Sequence, residues 1–219
     1  MKIFLVPGLG YDHRIFDRLT ISVGQAVPIA WIDPIRGEKI ADYAARLFAS
    51  LPPEDEDVVL IGHSFGGVVS QEIATQRRIS KVILISSIQE RKEMSRSMRW
   101  VKPLGLYRLF TRGICLRTVK YWGAAHGFPT KEDQELFKSM VGKCSNRYLQ
   151  WALRTLSGWH APVVPVRTKV FRIHGGKDKT FPAKYINPVD ALVESGNHIL
   201  LYDQAERVSE LLELALAED

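Results

Sequence analysis

Val58-Val59-Leu60-Ile61-Gly62-His63-Ser64-Phe65-Gly66-Gly67 is the stretch on which the reading of this chain turns. A β-branched apolar run feeds into Gly-x-Ser-x-Gly, and helical spacing resumes from Val68. So tight a turn from strand to helix tolerates only minimal side chains at its flanks, and Gly62 and Gly66 meet that demand. The serine between them should be driven out of the sheet in a strained conformation, its hydroxyl exposed above a helix N-terminus. The pentapeptide alone is common by chance; with the strand before it and the helix after it, Ser64 becomes a candidate nucleophile.

Two further stretches end in the same way. Phe171-Arg172-Ile173-His174-Gly175-Gly176-Lys177-Asp178 reads as a short strand, a glycine turn and an aspartate. Ala191-Leu192-Val193-Glu194-Ser195-Gly196-Asn197-His198 reads as a strand followed by Gly-Asn-His. Each residue has a plain alternative, as a turn serine, a turn-capping aspartate or a loop histidine. Three strand ends in the order Ser64, Asp178, His198 favour one site, because open α/β sheets bind ligands at the carboxyl ends of their strands. With the opening strand and its Pro7-Gly8-Leu9-Gly10 turn, the chain resembles the α/β-hydrolase superfamily. The resemblance covers nearly everything outside a middle insertion.

That resemblance implies a three-layer α/β/α sandwich, with a mostly parallel sheet of about six strands and an inserted helical cap. Apolar runs at Ile3–Val6, Pro28–Ile32, Asp57–Ile61, Val82–Ser86, Val170–His174 and Ala191–Glu194 predict the strands. Helical spacing at Arg14–Leu19, Lys39–Leu51, Gly67–Arg77 and Gln204–Ala217 predicts the covering helices. The superfamily usually begins with an extra hairpin that is missing here, which predicts a reduced sheet with an exposed first edge and room for a dimer contact. The protein is expected to be a monomer or a homodimer.

The alternation breaks between Ile88 and His160, giving an expected core of residues 1–87 and 161–219 and a cap of residues 88–160. Helix-compatible spacing recurs there in Gln134–Met140 and Tyr148–Leu156. The cap holds 14 Lys and Arg against 5 Asp and Glu, net +9, out of 30 and 24 in the whole chain, so the remainder is 16 against 19, net −3. From Met94 to Lys131 there are eight basic residues and no acidic one. Such a cap is either a solvated cationic face, an attractor of anionic substrates, or an adhesive patch for an anionic membrane or nucleic acid. No nucleic-acid motif accompanies it, and nucleic acid is not expected as a partner.

The 219 residues suffice for one sizeable core. The four-residue apolar run before Pro7-Gly8 is too short for a signal peptide, and no run approaches a bilayer-spanning length. Cys115 and Cys144 lack metal-ligand spacing and read as reduced thiols, which points to the cytoplasm.

The expected chemistry follows from the resemblance. Ser64 attacks an acyl carbonyl, His198 takes its proton and Asp178 orients the imidazole. In that family the acid is sometimes supplied from the end of the preceding strand, where Glu90 stands here. The oxyanion donors are expected at the backbone of Phe65 and Leu9, with Gly10 the second choice for the latter. Many relatives carry a His-Gly pair in that turn, and Pro7-Gly8 replaces it here. Gly10 and His13 are expected to touch substrate, His63 and His174 to be structural, and His126 and His160 to belong to the cap. No metal or cofactor is expected, since neither metal-ligand spacing nor a phosphate-binding glycine loop is present. The substrate class is a small-molecule ester or thioester, an anionic one on the reading that the basic cap attracts its substrate. Amide or carbon–carbon cleavage by the same three residues remains open, as does a non-catalytic ligand-binding or interaction protein of the same fold.

Overall fold

The computed structural model describes residues 1–49 and 57–217. Six parallel strands form one sheet in the order β2-β1-β3-β4-β5-β6. They are β1 (Lys2–Val6), β2 (Gln25–Pro28), β3 (Val58–His63), β4 (Lys81–Ile85), β5 (Lys169–Gly175) and β6 (Ala191–Val193). β3 and β4 are buried along their whole length, which explains why Val58–Ile61 and Val82–Ile85 carry no polar alternation. Helices α1 (Ile40–Leu47), α2 (Phe65–Gln76) and α8 (Ala205–Ala217) pack against this sheet or one another, and the short α7 (Leu200–Asp203) leads into α8.

Several elements differ in type or bounds from the sequence expectation. The second strand ends where it was expected to begin, at Pro28. Ile29 still donates to the Leu5 carbonyl (2.9 Å), and the chain then turns so that the Trp31 indole N–H reaches the Gly8 carbonyl (3.2 Å). The helix expected at Arg14–Leu19 is a 3₁₀ turn, His13–Phe16, capped by the Asp12 carboxylate. It stops there because the chain is drawn off to α8, with Thr20 N–H donating to Ser209 and Ser22 N–H to Glu213. The next helix starts at Ile40, and the end expected near Leu51 lies outside the described residues. The helix expected from Gly67 begins two residues earlier, at Phe65.

Residues 88–160 contain helices and turns. They hold α3 (Arg96–Val101), α4 (Arg112–Trp122), α5 (Lys131–Val141) and α6 (Asn146–Ser157), with 3₁₀ turns at Arg91–Glu93, Leu106–Leu109 and Ala124–His126. Ser95, Thr111, Thr130 and Ser145 cap the four helices through their hydroxyls, and Asp133 completes a capping box with Thr130. The insertion is tied to the core at both stems. Gln71 donates to the Ile88 carbonyl (2.8 Å), and the Trp159 indole donates to the next core residue, Glu72 (2.7 Å). A buried ion pair between Glu93 and Arg172 of β5 (2.7 Å) adds a third tie. Among the described residues no helix is long and apolar enough to cross a membrane.

Candidate active site

Gly62 and Gly66 allow the sheet to end as it does. A Cβ on Gly62 would lie 2.5 Å from Gly67 Cα and 2.6 Å from Gly67 N, and one on Gly66 would strike the carbonyl oxygens of Val6 and Pro7. The start of α2 therefore rests directly on the ends of β3 and β1. Ser64 sits in the turn at φ 52°, ψ −119°, a strained position for a residue with a side chain. Its backbone is held from both sides: its N–H donates to Ile85 (2.9 Å) and its carbonyl accepts from the Ser87 hydroxyl (2.7 Å).

His198 lies beyond β6 and Asp178 beyond β5, and both reach Ser64. His198 Nε2 is 2.9 Å from Ser64 Oγ, and His198 Nδ1 is 2.8 Å from Asp178 Oδ2. With Asp178 accepting at Nδ1–H, Nε2 is left to accept from the serine hydroxyl. Asp178 Oδ1 accepts from the backbone N–H groups of Thr180 (2.7 Å) and Phe181 (2.9 Å). Burial alone would raise its carboxyl; the neighbouring His198 and His174 and the Phe181 N–H outweigh it and hold the group below its ordinary value. Glu90 is paired instead with Lys92 (2.8 Å) at the surface.

The other two nearby histidines are fixed as hydrogen-bond donors. His174 donates through Nε2 to the Phe181 carbonyl (2.8 Å), and His63 donates through Nε2 to the His198 carbonyl (3.0 Å). Burial, assisted by His198, pushes the His63 imidazole down to about 3, so it is neutral at ordinary pH. His63 thus holds the main chain of His198 while its own Nδ1 has no partner and lies against Gly8. Phe181 meets the His198 ring edge-on, 5.4 Å between centroids.

The turn after β1 lies beside this group. Phe65 opens α2, so its N–H has no carbonyl one helical turn earlier. Gly10 is in the left-handed region at φ 83°. Burial raises the Tyr148 phenol well above its ordinary range, opposed by the approach of the Gly10 N–H. Leu9, between Gly8 and Gly10 in this turn, is half-buried and packs against the core.

The Ser64 hydroxyl is not exposed as the sequence suggested: the residue is only 5 % accessible. Tyr11 fills the gap, packed against His63 on one side and against Phe128 and Phe137 of the insertion on the other. Next to it is a cavity of about 320 Å³, lined by Tyr11, His13, Trp31, Met140, Lys143 and Tyr148 among others. His13 is at its exposed rim; Ser64 and His198 do not line it. Trp31 links the cavity to the elbow, stacking obliquely on Phe65 (5.7 Å) and Tyr148 (5.6 Å). Sequence reasoning did not single out Tyr11, Trp31, Tyr148 or Phe181. His126 bonds locally to the Trp122 carbonyl and, like the exposed His160, stands apart from the site.

Among the described residues no group of three or more His, Cys, Asp or Glu is placed to hold a metal ion. Both cysteines are free, and burial raises each thiol to about 11, which makes them poor nucleophiles.

Residues 3–211 match the model of an alpha/beta hydrolase family. Similar solved structures include an esterase from Exiguobacterium antarcticum, at TM-score 0.80 and 15 % identity, covering 100 % of this chain and 92 % of that one. A lipase-esterase related protein from Clostridium acetobutylicum follows at TM-score 0.70 and 14 % identity, with 97 % and 93 % covered. A thermophilic esterase from Thermogutta terrifontis aligns at TM-score 0.69 and 16 % identity, with 99 % and 89 % covered. At these identities the likeness is one of fold. No curated protein matches the sequence.

Proposed function

The chain belongs to the alpha/beta hydrolase family, and from that premise we propose that it is a serine hydrolase cleaving a small-molecule carboxylic ester or thioester. The observation that carries the reading is the unbroken chain of contacts from Ser64 Oγ through His198 to Asp178, each link under 3 Å. His198 takes the hydroxyl proton as Ser64 Oγ adds to the acyl carbonyl, and Asp178, held ionised, balances the imidazolium. The tetrahedral oxyanion is received by the N–H groups of Phe65 and Leu9. As it collapses, the proton on His198 passes to the departing alcohol or thiol. Water then enters, gives a proton to the same nitrogen and releases the acid, restoring Ser64. The residues beyond Ile88 and before Ala161 act as a cap that keeps bulk water from the acyl-enzyme. The cavity beside Tyr11 and Trp31 is the natural seat of an acyl or aryl group, with Lys143 at hand for an anionic one. Ester cleavage is also the activity for which the three similar structures are named.

A fluorophosphonate probe tests this reading. Labelling should be strong in the wild type and absent in Ser64→Ala. Turnover across a panel of p-nitrophenyl esters and acyl thioesters should fall by several orders of magnitude in the same variant, since nucleophile and base act as a unit. Folded wild-type protein that neither labels nor turns over any member of the panel would make the chain a binding module instead.

A further inference from the structure

The positive charge of residues 96–120 is exposed or, at Arg99, half-buried, and without carboxylate partners among the described residues. None of the seven Lys and Arg from Arg96 to Lys120 has a carboxylate within ion-pair distance among the described residues, whereas Lys92, Lys138 and Arg147 nearby are paired. The same segment exposes large apolar side chains: Trp100 is 59 % accessible, Leu104 and Leu109 63 %, and Tyr121 79 %. On α4, Ile114, Arg117 and Tyr121 follow at helical spacing as an outward stripe, while Cys115 and Val119 face inward. α3 and the turn after it rest on α6, with Gln150 donating to the Arg108 carbonyl, and α4 rests on α5. The segment is therefore the outer layer of the cap. At its foot is a cavity of about 410 Å³ lined by Arg91, Lys102, Tyr107, Arg154 and His160, of a size and charge to take a phosphate headgroup.

A face that serves only to be solvated has no reason to present Trp100, Leu104, Leu109 and Tyr121 to water. Each of these exposed apolar residues lies within two positions of a Lys or Arg, as in Arg99-Trp100, Lys102-Pro103-Leu104, Arg108-Leu109 and Lys120-Tyr121. Protruding apolar tips among Lys and Arg, with no acidic residue from Met94 to Lys131, match the chemistry of a bilayer surface with negative headgroups. We infer that the outer face of the cap, residues 96–121, docks on an anionic phospholipid surface. Its apolar tips enter the headgroup layer, and its cations meet the phosphates. The inference does not depend on the chemistry assigned to Ser64.

Co-sedimentation with vesicles decides it. The full-length protein should bind vesicles of equal parts phosphatidylcholine and phosphatidylglycerol and leave phosphatidylcholine vesicles alone. Since each cation near such a surface strengthens binding about fivefold, Arg117→Glu with Lys120→Glu should weaken partitioning by at least about twentyfold. Trp100→Ser with Leu104→Ser should also weaken it, and Leu109→Ser with Tyr121→Ser provides an independent pair. All of these positions are exposed, so melting temperatures should not change. Ser64→Ala should bind as the wild type does. Failure to bind the anionic vesicles, or equal binding to both kinds, overturns the inference. Binding that ignores both apolar pairs reduces it to charge adsorption and overturns the docking. Tighter capture by poly-aspartate than by vesicles would assign the face to an acidic polypeptide, and self-association abolished by Trp100→Ser would assign it to a second copy; either result overturns the lipid reading.

Discussion

Replacing Gly62 with alanine tests how tightly the turn around Ser64 is closed. The added Cβ would lie 2.5 Å from Gly67 Cα, 2.6 Å from Gly67 N and 2.8 Å from Gly66 C, all main-chain atoms with no side chain to swing aside. Carbon atoms pack at about 3.5–4.0 Å, so relief requires the first turn of α2 to retreat by about 1 Å. Overpacking of this kind costs about 1–3 kcal/mol. For a chain of this length that is roughly 2–12 °C in melting temperature. The effect on turnover should be larger. Phe65, proposed above as an oxyanion donor, moves with that first turn, and a displacement of about 1 Å of such a group costs on the order of 10²-fold in rate. Gly113 in α4 is the control, because no atom lies within 4 Å of its would-be Cβ. Gly113→Ala should gain about 0.4–1 kcal/mol from a less flexible unfolded chain and leave turnover unchanged. Differential scanning calorimetry and p-nitrophenyl ester kinetics on the three proteins suffice. A Gly62→Ala protein with wild-type melting and turnover would refute the argument from close approach.

Two more outcomes follow from buried polar groups. His63 is held at about 3, below the ordinary 6.5 that it regains on unfolding. The unfolded state therefore binds the extra proton, and stability present above pH 6.5 is lost as the pH falls toward 3, at about 1.4 kcal/mol per unit. Between pH 7 and 5 the wild type should lose about 2 kcal/mol in urea unfolding that His63→Gln does not lose; parallel pH slopes would contradict this. For the Glu93–Arg172 pair, Glu93→Leu should cost about 3–5 kcal/mol by stranding the guanidinium, and adding Arg172→Met should recover most of it. A double variant as unstable as the single one would show that the pair stabilises for another reason.

The residues of the candidate site were legible where their signals are local. Ser64, Asp178 and His198 each end a short apolar run in a glycine-rich turn, so strand, turn and functional residue fall within eight positions. The alternation of strands and helices was legible for the same reason. What the sequence hid was set by contacts between distant segments. Tyr11, Trp31 and Tyr148 look like any core aromatics until β1, the turn after β2 and α6 are brought together, and only then do they wall a cavity. The burial of Ser64 was hidden too, since a residue's exposure is decided by segments distant in sequence. So were the stem ties of the cap, because Gln71 and Glu72 on α2 meet Ile88 and Trp159 only in the folded chain. The early end of β2 was hidden as well: proline is tolerated at a strand's first residue and along an edge strand alike, so Pro28 did not reveal that the strand stops there.

That proline has a consequence for assembly. Ile29 turns its N–H toward β1, so by the two-residue alternation of a strand the outward-facing positions of β2 are Ala26 and Pro28. Proline has no N–H, and a would-be neighbour strand therefore finds a single donor, at Ala26, along this whole margin. The opposite margin, β6, is three residues long. Neither side offers the row of hydrogen bonds through which sheets of separate molecules fuse or fibres nucleate. A homodimer that continued the sheet would accordingly gain few hydrogen bonds at either margin.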